Sequence, residues 1–107
     1  MSTPETPSLP EEESLQLVVD LFAALAHPAR ALVLLALGRH GPISVSALTR
    51  LAGIEQSAMS HQLRVLRDAR LVRTERRGKR VFYHLHDDHV AHIVEDALSH
   101  VVESTDD

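Results

Sequence analysis

Ser44 to Leu85 read SVSALTRLAGIEQSAMSHQLRVLRDARLVRTERRGKRVFYHL. Two helical stretches around a tight turn come first. Ser44 or Ser46 is placed to cap a short helix through about Leu51, with Leu48 and Leu51 facing inward. Ala52-Gly53-Ile54 is the turn. Glu55 or Gln56 then opens a helix to about Ala69 that buries Met59, Leu63 and Leu66. After Leu71 the apolar period switches to two. Val72 to Glu75 and Val81 to Leu85 alternate as strands, and Arg76-Arg77-Gly78-Lys79 makes the hairpin tip. Helix, turn, helix and hairpin in this order predict a winged helix-turn-helix, mainly helical with a small β-hairpin.

The flanks extend the helical count. Leu15, Val18, Val19, Phe22 and Leu25 form an apolar stripe from Glu12 onward. His27-Pro28 ends that helix and starts another, strongly apolar at Leu32, Val33, Leu35 and Ala36. Gly38 and Gly41-Pro42 mark its end. Asp87 or Asp88 caps a last helix to about Glu103, apolar at Val90, Ile93, Val94, Ala97, Leu98 and Val101. The reading is a disordered arm over 1–11, one domain over 12–103 and a tail over 104–107. A chain of 107 residues buries about 60–70% of its unfolded surface, so a dimer would help it.

Composition removes several function classes. With no cysteine there is no disulfide scaffold, Cys-type zinc finger, iron–sulfur cluster or thiol switch. Aromatics at 3% are too few for a base-stacking platform. The longest apolar run, Ala31 to Leu37, is far short of the roughly 20 residues that span a bilayer. The acidic, proline-bearing start has no basic stretch before an apolar core and does not read as a secretory signal, so the expected compartment is the cytoplasm, with no membrane partner.

The net charge is -4, but its distribution is uneven. Between His61 and Arg80, eight arginines and lysines face only Asp68 and Glu75. For nucleic acid, the local footprint matters more than the total. The second helix of the motif carries Gln56, Ser57, Ser60, His61, Arg64 and Arg67 on its outer face, all able to hydrogen-bond base edges or phosphates. Arg76, Arg77, Lys79 and Arg80 can straddle the phosphates beside the groove. Each serine alone reads as plain surface; together with the turn glycine and the cationic tip they point to double-stranded DNA.

Five of the eight histidines lie between His84 and His100, interleaved with carboxylates. Without sulfur, such a set suits a borderline divalent metal. His100 and Glu103 share one helix face. Asp87 and His89 sit at the helix entrance. The two pairs point within about 20° of each other but lie about 16 Å apart along the axis. One ion cannot be held by both pairs of one chain. An antiparallel second copy brings Asp87 and His89 of one chain opposite His100 and Glu103 of the other, giving two equivalent four-ligand sites per dimer. A local set of His89, His92 and Glu95 or Asp96 is the alternative. No His-Glu-x-x-His helix or nucleophile–base pairing supports a zinc hydrolase.

These residues carry a resemblance. Ala24 to Arg30, the run Gln56 to Leu66, and Asp87-x-His89 with His100-x-x-Glu103 resemble the ArsR–SmtB family of metal-sensing repressors over about Leu15 to Glu103. The metal pattern is similar to the family's zinc-sensing branch. The resemblance implies a homodimer through the first and last helices, an inverted-repeat operator bound by the metal-free form, and release by zinc. It implies no enzyme. It also implies that His100 bonds a backbone carbonyl just past the recognition helix, here Arg70, as the coupling contact. The family's cysteine site near the third helix is absent. His84, His86 and His92 are extra to the pattern and leave nickel or cobalt open, although related nickel and cobalt sites recruit histidines from the chain ends, where this chain has none. A metal-independent DNA-binding dimer is the other alternative.

Overall fold

The computed structural model describes residues 6–105. Its elements are α1 (Glu12–Leu25), α2 (Pro28–His40), β1 (Ile43–Ser44), α3 (Val45–Ala52), α4 (Gln56–Asp68), β2 (Val72–Arg77), β3 (Arg80–Leu85) and α5 (His89–Thr105). The winged helix-turn-helix is present, with a three-stranded antiparallel sheet ordered β1-β3-β2. Of the arm expected over 1–11, residues 1–5 lie outside the described part; Thr6 to Glu11 are exposed and without regular structure.

The core is built around α2, whose Val33, Leu34 and Leu37 are sealed from solvent. Leu48 of α3, Met59, Leu63 and Leu66 of α4, and Leu71, Val72, Tyr83 and Val90 close over it. Ser44 caps α3, its Oγ accepting the Ala47 N–H at 3.2 Å. Gly53 ends α3 in the left-handed conformation, at φ 65°. At the end of α4 the Arg70 and Leu71 N–H groups return to the carbonyls of Arg67 and Leu66. That wrap needs Arg70 at φ 60°, a place usually given to glycine.

Four details differ from the sequence reading. Leu51 is 57% exposed rather than inward. The buried side of α3 runs through Val45, Leu48 and Ala52, and at about 100° per residue Leu51 falls off its edge. The hairpin tip is Gly78-Lys79 alone, because Arg77 already pairs with Arg80 across the strands. A two-residue turn needs positive φ, which Gly78 supplies at 63°. The strand β1, two residues after Pro42, pairs Ile43 with Tyr83 and Ser44 with Phe82 and was not anticipated. Finally, Gly38 does not end α2, which continues to His40 and stops at Gly41.

Gly38 serves packing instead. A Cβ built there lies 2.9 Å from the Cβ of Ala91 on α5, so the two helices cross where only a glycine fits. By contrast α1 has no buried residue, and α5 leaves Ile93, Leu98, Val101 and Val102 exposed. Among the described residues no single helix is long and apolar enough to cross a membrane.

The crossing predicts a double-mutant result. Gly38→Ala gains about 1 kcal/mol of helix propensity. It loses about 1–3 kcal/mol by overpacking against Ala91. Urea unfolding should show Gly38→Ala no more stable than wild type. Pairing it with Ala91→Gly should reveal a favourable coupling of about 1–3 kcal/mol. Simple additivity of the two changes would show that the helices are free to move apart.

Candidate nucleic-acid interface and metal ligands

Helix α4 divides cleanly by face. Met59, Leu63 and Leu66 are buried, and Gln56, Ser57, Ser60, His61, Arg64 and Arg67 are exposed. The exposed face opens on two grooves. One, of about 420 Å³, is lined by Ser44, Ser46, Gln56, Ser60, Lys79 and Arg80 among others. The other, of about 430 Å³, is lined by Ser60, Arg64 and Arg67 with the base of the hairpin. Recognition helix and wing therefore share one polar concavity. Ser44 and Ser46 belong to it and were missed from sequence as interface residues. The pairing of Ile43 with Tyr83 and of Ser44 with Phe82 brings the start of α3 beside the wing.

The wing cations are not equivalent. Phe82 on β3 carries the Arg77 guanidinium 4.4 Å from its ring centre and that of Arg80 at 5.1 Å. Arg80 also donates to Ser44 Oγ at 3.3 Å. Arg77 donates to Glu75 at 2.7 Å, and His84 meets the other Glu75 oxygen. Two arginines are thus pre-positioned on one aromatic ring, and Arg77 already spends part of its charge on Glu75. Among the described residues Arg76 and Lys79 have no ion-pair partner.

The metal candidates fall into two half-sites. Asp87 Oδ1 accepts the His89 backbone N–H at 2.9 Å and lies 3.2 Å from His89 Nδ1. The His89 side chain is 90% exposed. His100 and Glu103 lie far along α5, also on exposed positions. Among the described residues no three His, Asp or Glu groups come together as a metal cluster. The local alternative meets a direct competitor. Arg39 holds both oxygens of Glu95, at 2.6 and 3.1 Å. That bond, ahead of other effects, keeps the Glu95 carboxyl below its ordinary value. His84 is engaged on the wing by Glu75, and the His86 backbone N–H bonds the Leu71 carbonyl. The donor chemistry, two imidazoles and two carboxylates, fits a zinc ion only if a second copy completes each half-site.

Comparison with known proteins bears on both regions. A helix-turn-helix domain family matches residues 25–75. The HTH-type transcriptional regulator NmtR of Mycobacterium tuberculosis is 43% identical over 88% of this chain and 78% of its own. The transcriptional repressor SmtB homolog of Synechocystis is 39% identical over 94% of this chain and 74% of its own. Among solved structures, the AntR antimony-specific transcriptional repressor superposes with TM-score 0.79 at 31% identity, covering 94% of this chain and 91% of that one. A homodimeric winged helix-turn-helix DNA-binding domain from Mycobacterium bovis, a possible ArsR-family regulator, gives TM-score 0.70 at 29% identity over 86% and 82%. These relatives are transcriptional regulators and not enzymes.

The wing network has a pH signature. Glu75 is held below its ordinary value, first by the hydrogen bond from Arg77 and then by that from His84. A carboxyl depressed in the folded state adds stability that is complete above its unfolded value, about 4.3, and is lost as pH falls through the lower folded value. A carboxyl-carbon NMR titration should therefore place Glu75 below the ordinary glutamate range. Arg77→Met should move it up toward that range. If Glu75 titrates within that range in the wild type, the wing arginine is not held as described.

Proposed function

The chain belongs to the ArsR–SmtB family of winged helix-turn-helix transcriptional repressors, and from that premise we propose that it is a zinc-responsive repressor: the metal-free homodimer binds an inverted-repeat operator, and metal binding releases it. The genes so controlled would serve metal efflux or sequestration. The observation that carries the reading is the pair of half-sites on α5. Each has a histidine and a carboxylate, they are about 16 Å apart along one helix, and among the described residues neither gathers with a third His, Asp or Glu into a metal cluster. The relative named for antimony supports metal response as such.

The dimer surface has a matching signature. Helices α1 and α5 carry Leu15, Leu17, Val18, Phe22, Leu98 and Val101 exposed in the single chain. Exposed apolar side chains on two helices suit an interface. An antiparallel pairing about a two-fold axis would cover it and set Asp87 and His89 of one copy against His100 and Glu103 of the other. Those four residues would hold zinc, which supplies a rigid cross-link between the copies. A metal shifts DNA binding only by favouring one of two dimer geometries. The His100 ring nitrogen not used as a ligand would donate to the Arg70 carbonyl. Arg70 is a good receiver, since its own N–H is fixed to the last turn of α4.

On the DNA side, Gln56, Ser57, Ser60, His61 and Arg64 would read the major groove. Arg76, Arg77, Lys79 and Arg80 would take phosphates, with Arg77 contributing least because Glu75 holds it.

Two experiments test this reading. With a duplex selected by the protein from a randomised pool, His61→Ala should weaken binding by about 1–3 kcal/mol, as for one good base contact. Lys79→Ala should weaken all duplexes and lower the salt slope by about one. Equal binding by His61→Ala and wild type would misplace the recognition face.

For the metal, zinc, nickel and cobalt are compared by their ability to release that duplex. Zinc is expected to act at the lowest free concentration, and His100→Ala to keep metal-free DNA binding but lose release. A mixed dimer of His89→Ala and His100→Ala chains should keep one tight site. A mixed dimer with none, beside a single-mutant homodimer that keeps one, refutes the intersubunit arrangement.

A further inference from the structure

Arg30, early on α2, makes contacts that reach in two directions. Its Nε donates to the Ala24 carbonyl at 2.7 Å, and its Nη2 reaches the Ala23 carbonyl at 3.5 Å. Both carbonyls lie in the last turn of α1. Its Nη1 donates to Gln62 Oε1 on α4 at 2.9 Å. We infer that Arg30 is a positioning residue for DNA recognition, its guanidinium tying the end of α1 to the back of the recognition helix through Gln62. The inference rests on the DNA-binding reading above.

Three physical points support it. First, a helix ends with carbonyls that lack partners, and a cation suits that end. The last turn of α1 carries no basic residue of its own, so Arg30 supplies the cation from the next helix. Second, Arg30 and Gln62 are half-buried and the guanidinium is planar, with donors in fixed directions. A bond of fixed geometry on both sides transmits rotation, whereas a flexible contact absorbs it. Third, Gln62 is two residues from Ser60 and two from Arg64. At about 100° per residue it points about 160° away from each, toward the side of α4 opposite the groove. Gln62 cannot touch the DNA that Ser60 and Arg64 face, so any effect it has on recognition passes through the orientation of α4.

The coupling matters because α1 is attached weakly to the rest. It has no buried residue, and only Leu21, Ala24 and Leu25 pack partly on the core. Its position in a dimer would be set largely by the partner copy. Arg30 then converts the position of α1 into an angle of α4, separately from any contact at Arg70.

The test uses the full chain in three variants: Gln62→Met, Gln62→Glu and Arg30→Met. The probes are the duplex that wild type selects from a randomised pool and a scrambled duplex of equal length. Gln62→Met nearly conserves volume and leaves the α1 contacts of Arg30 alone. It should weaken the selected duplex about tenfold, the scale of one lost hydrogen bond to a charged group. Binding of the scrambled duplex, the salt slope and the dimer mass by sedimentation should not change. Gln62→Glu, which still accepts from Arg30, should restore discrimination. Adding Arg30→Met to Gln62→Met should weaken the selected duplex no further. Wild-type affinity in Gln62→Met overturns the inference and leaves the repressor reading intact. So does a salt slope lowered by about one, which would mean direct phosphate contact. Additive losses in the double variant overturn it as well. A wild-type protein that selects no duplex removes the repressor reading and this inference with it.

Discussion

Burial of one broad face of α2 is the constraint on which the molecule depends. Val33, Leu34 and Leu37 are almost wholly removed from water, so α2 cannot rotate or slide without opening the core. Along that fixed rod the other elements attach in sequence order. Arg30 takes the end of α1 and the back of α4. The leucines in the middle receive Met59, Leu63 and Leu66 of α4. Gly38 and Arg39 take α5, one by close approach to Ala91 and the other by the forked bond to Glu95. The two helices with apolar faces left open are thus fastened at opposite ends of one rigid element, and the DNA-reading helix lies between them. A close-packed interior passes displacement on rather than absorbing it, which is the physical basis for any coupling between a dimer interface and a recognition helix.

The wing shows how a small domain positions cations without a deep core. An arginine on a free strand must give up much of its side-chain freedom when it meets a phosphate. Stacking Arg77 and Arg80 on Phe82, and anchoring Arg80 on Ser44, removes part of that freedom beforehand. Arg76 and Lys79 keep it. The ion pairs are exposed, so their worth lies in placement more than in stability.

Much of this was legible in the chain. The order of helices and strands, the buried face of α4, and the exposed row from Gln56 to Arg64 follow from periodicities and turn residues, which are local signals. What escaped reading depends on partners distant in sequence. The strand β1 is two residues long and exists through pairing with β3. Gly38 reads as a helix end because a glycine in a helix is locally unfavourable; its reason is Ala91, on another helix. Leu51 reads as inward because it is a leucine three residues after another, while the face of α3 is fixed by Val45 and Ala52. Charges divide the same way: Glu75 and Arg77, two apart on β2, pair locally, but only the cross-strand geometry brings His84 to the other Glu75 oxygen. The proposed metal ligands are a different case: their spacing is legible, and the proposed site would need a second chain to complete it.

That need has a consequence for how a metal response would work. Ligands gathered within one chain would let a monomer bind metal with no effect on how two copies sit together. Ligands split between the two ends of α5, as proposed, would prevent this, since a pair of ligands does not make a closed coordination shell. Metal affinity would then depend on dimer geometry, and by reciprocity dimer geometry would depend on metal. The open apolar surface of α1 and α5 sets the scale of the competing term. Side chains such as Leu17 and Phe22, 70% and 53% exposed, each gain up to about 1.5–3 kcal/mol on full burial. Against that, association costs several kcal/mol in lost freedom of the two chains. Apolar burial can therefore hold the copies together while leaving their relative angle only loosely chosen. An angle loosely chosen by packing is what two four-ligand sites could reset, and α2 would carry the new angle to α4 on each side.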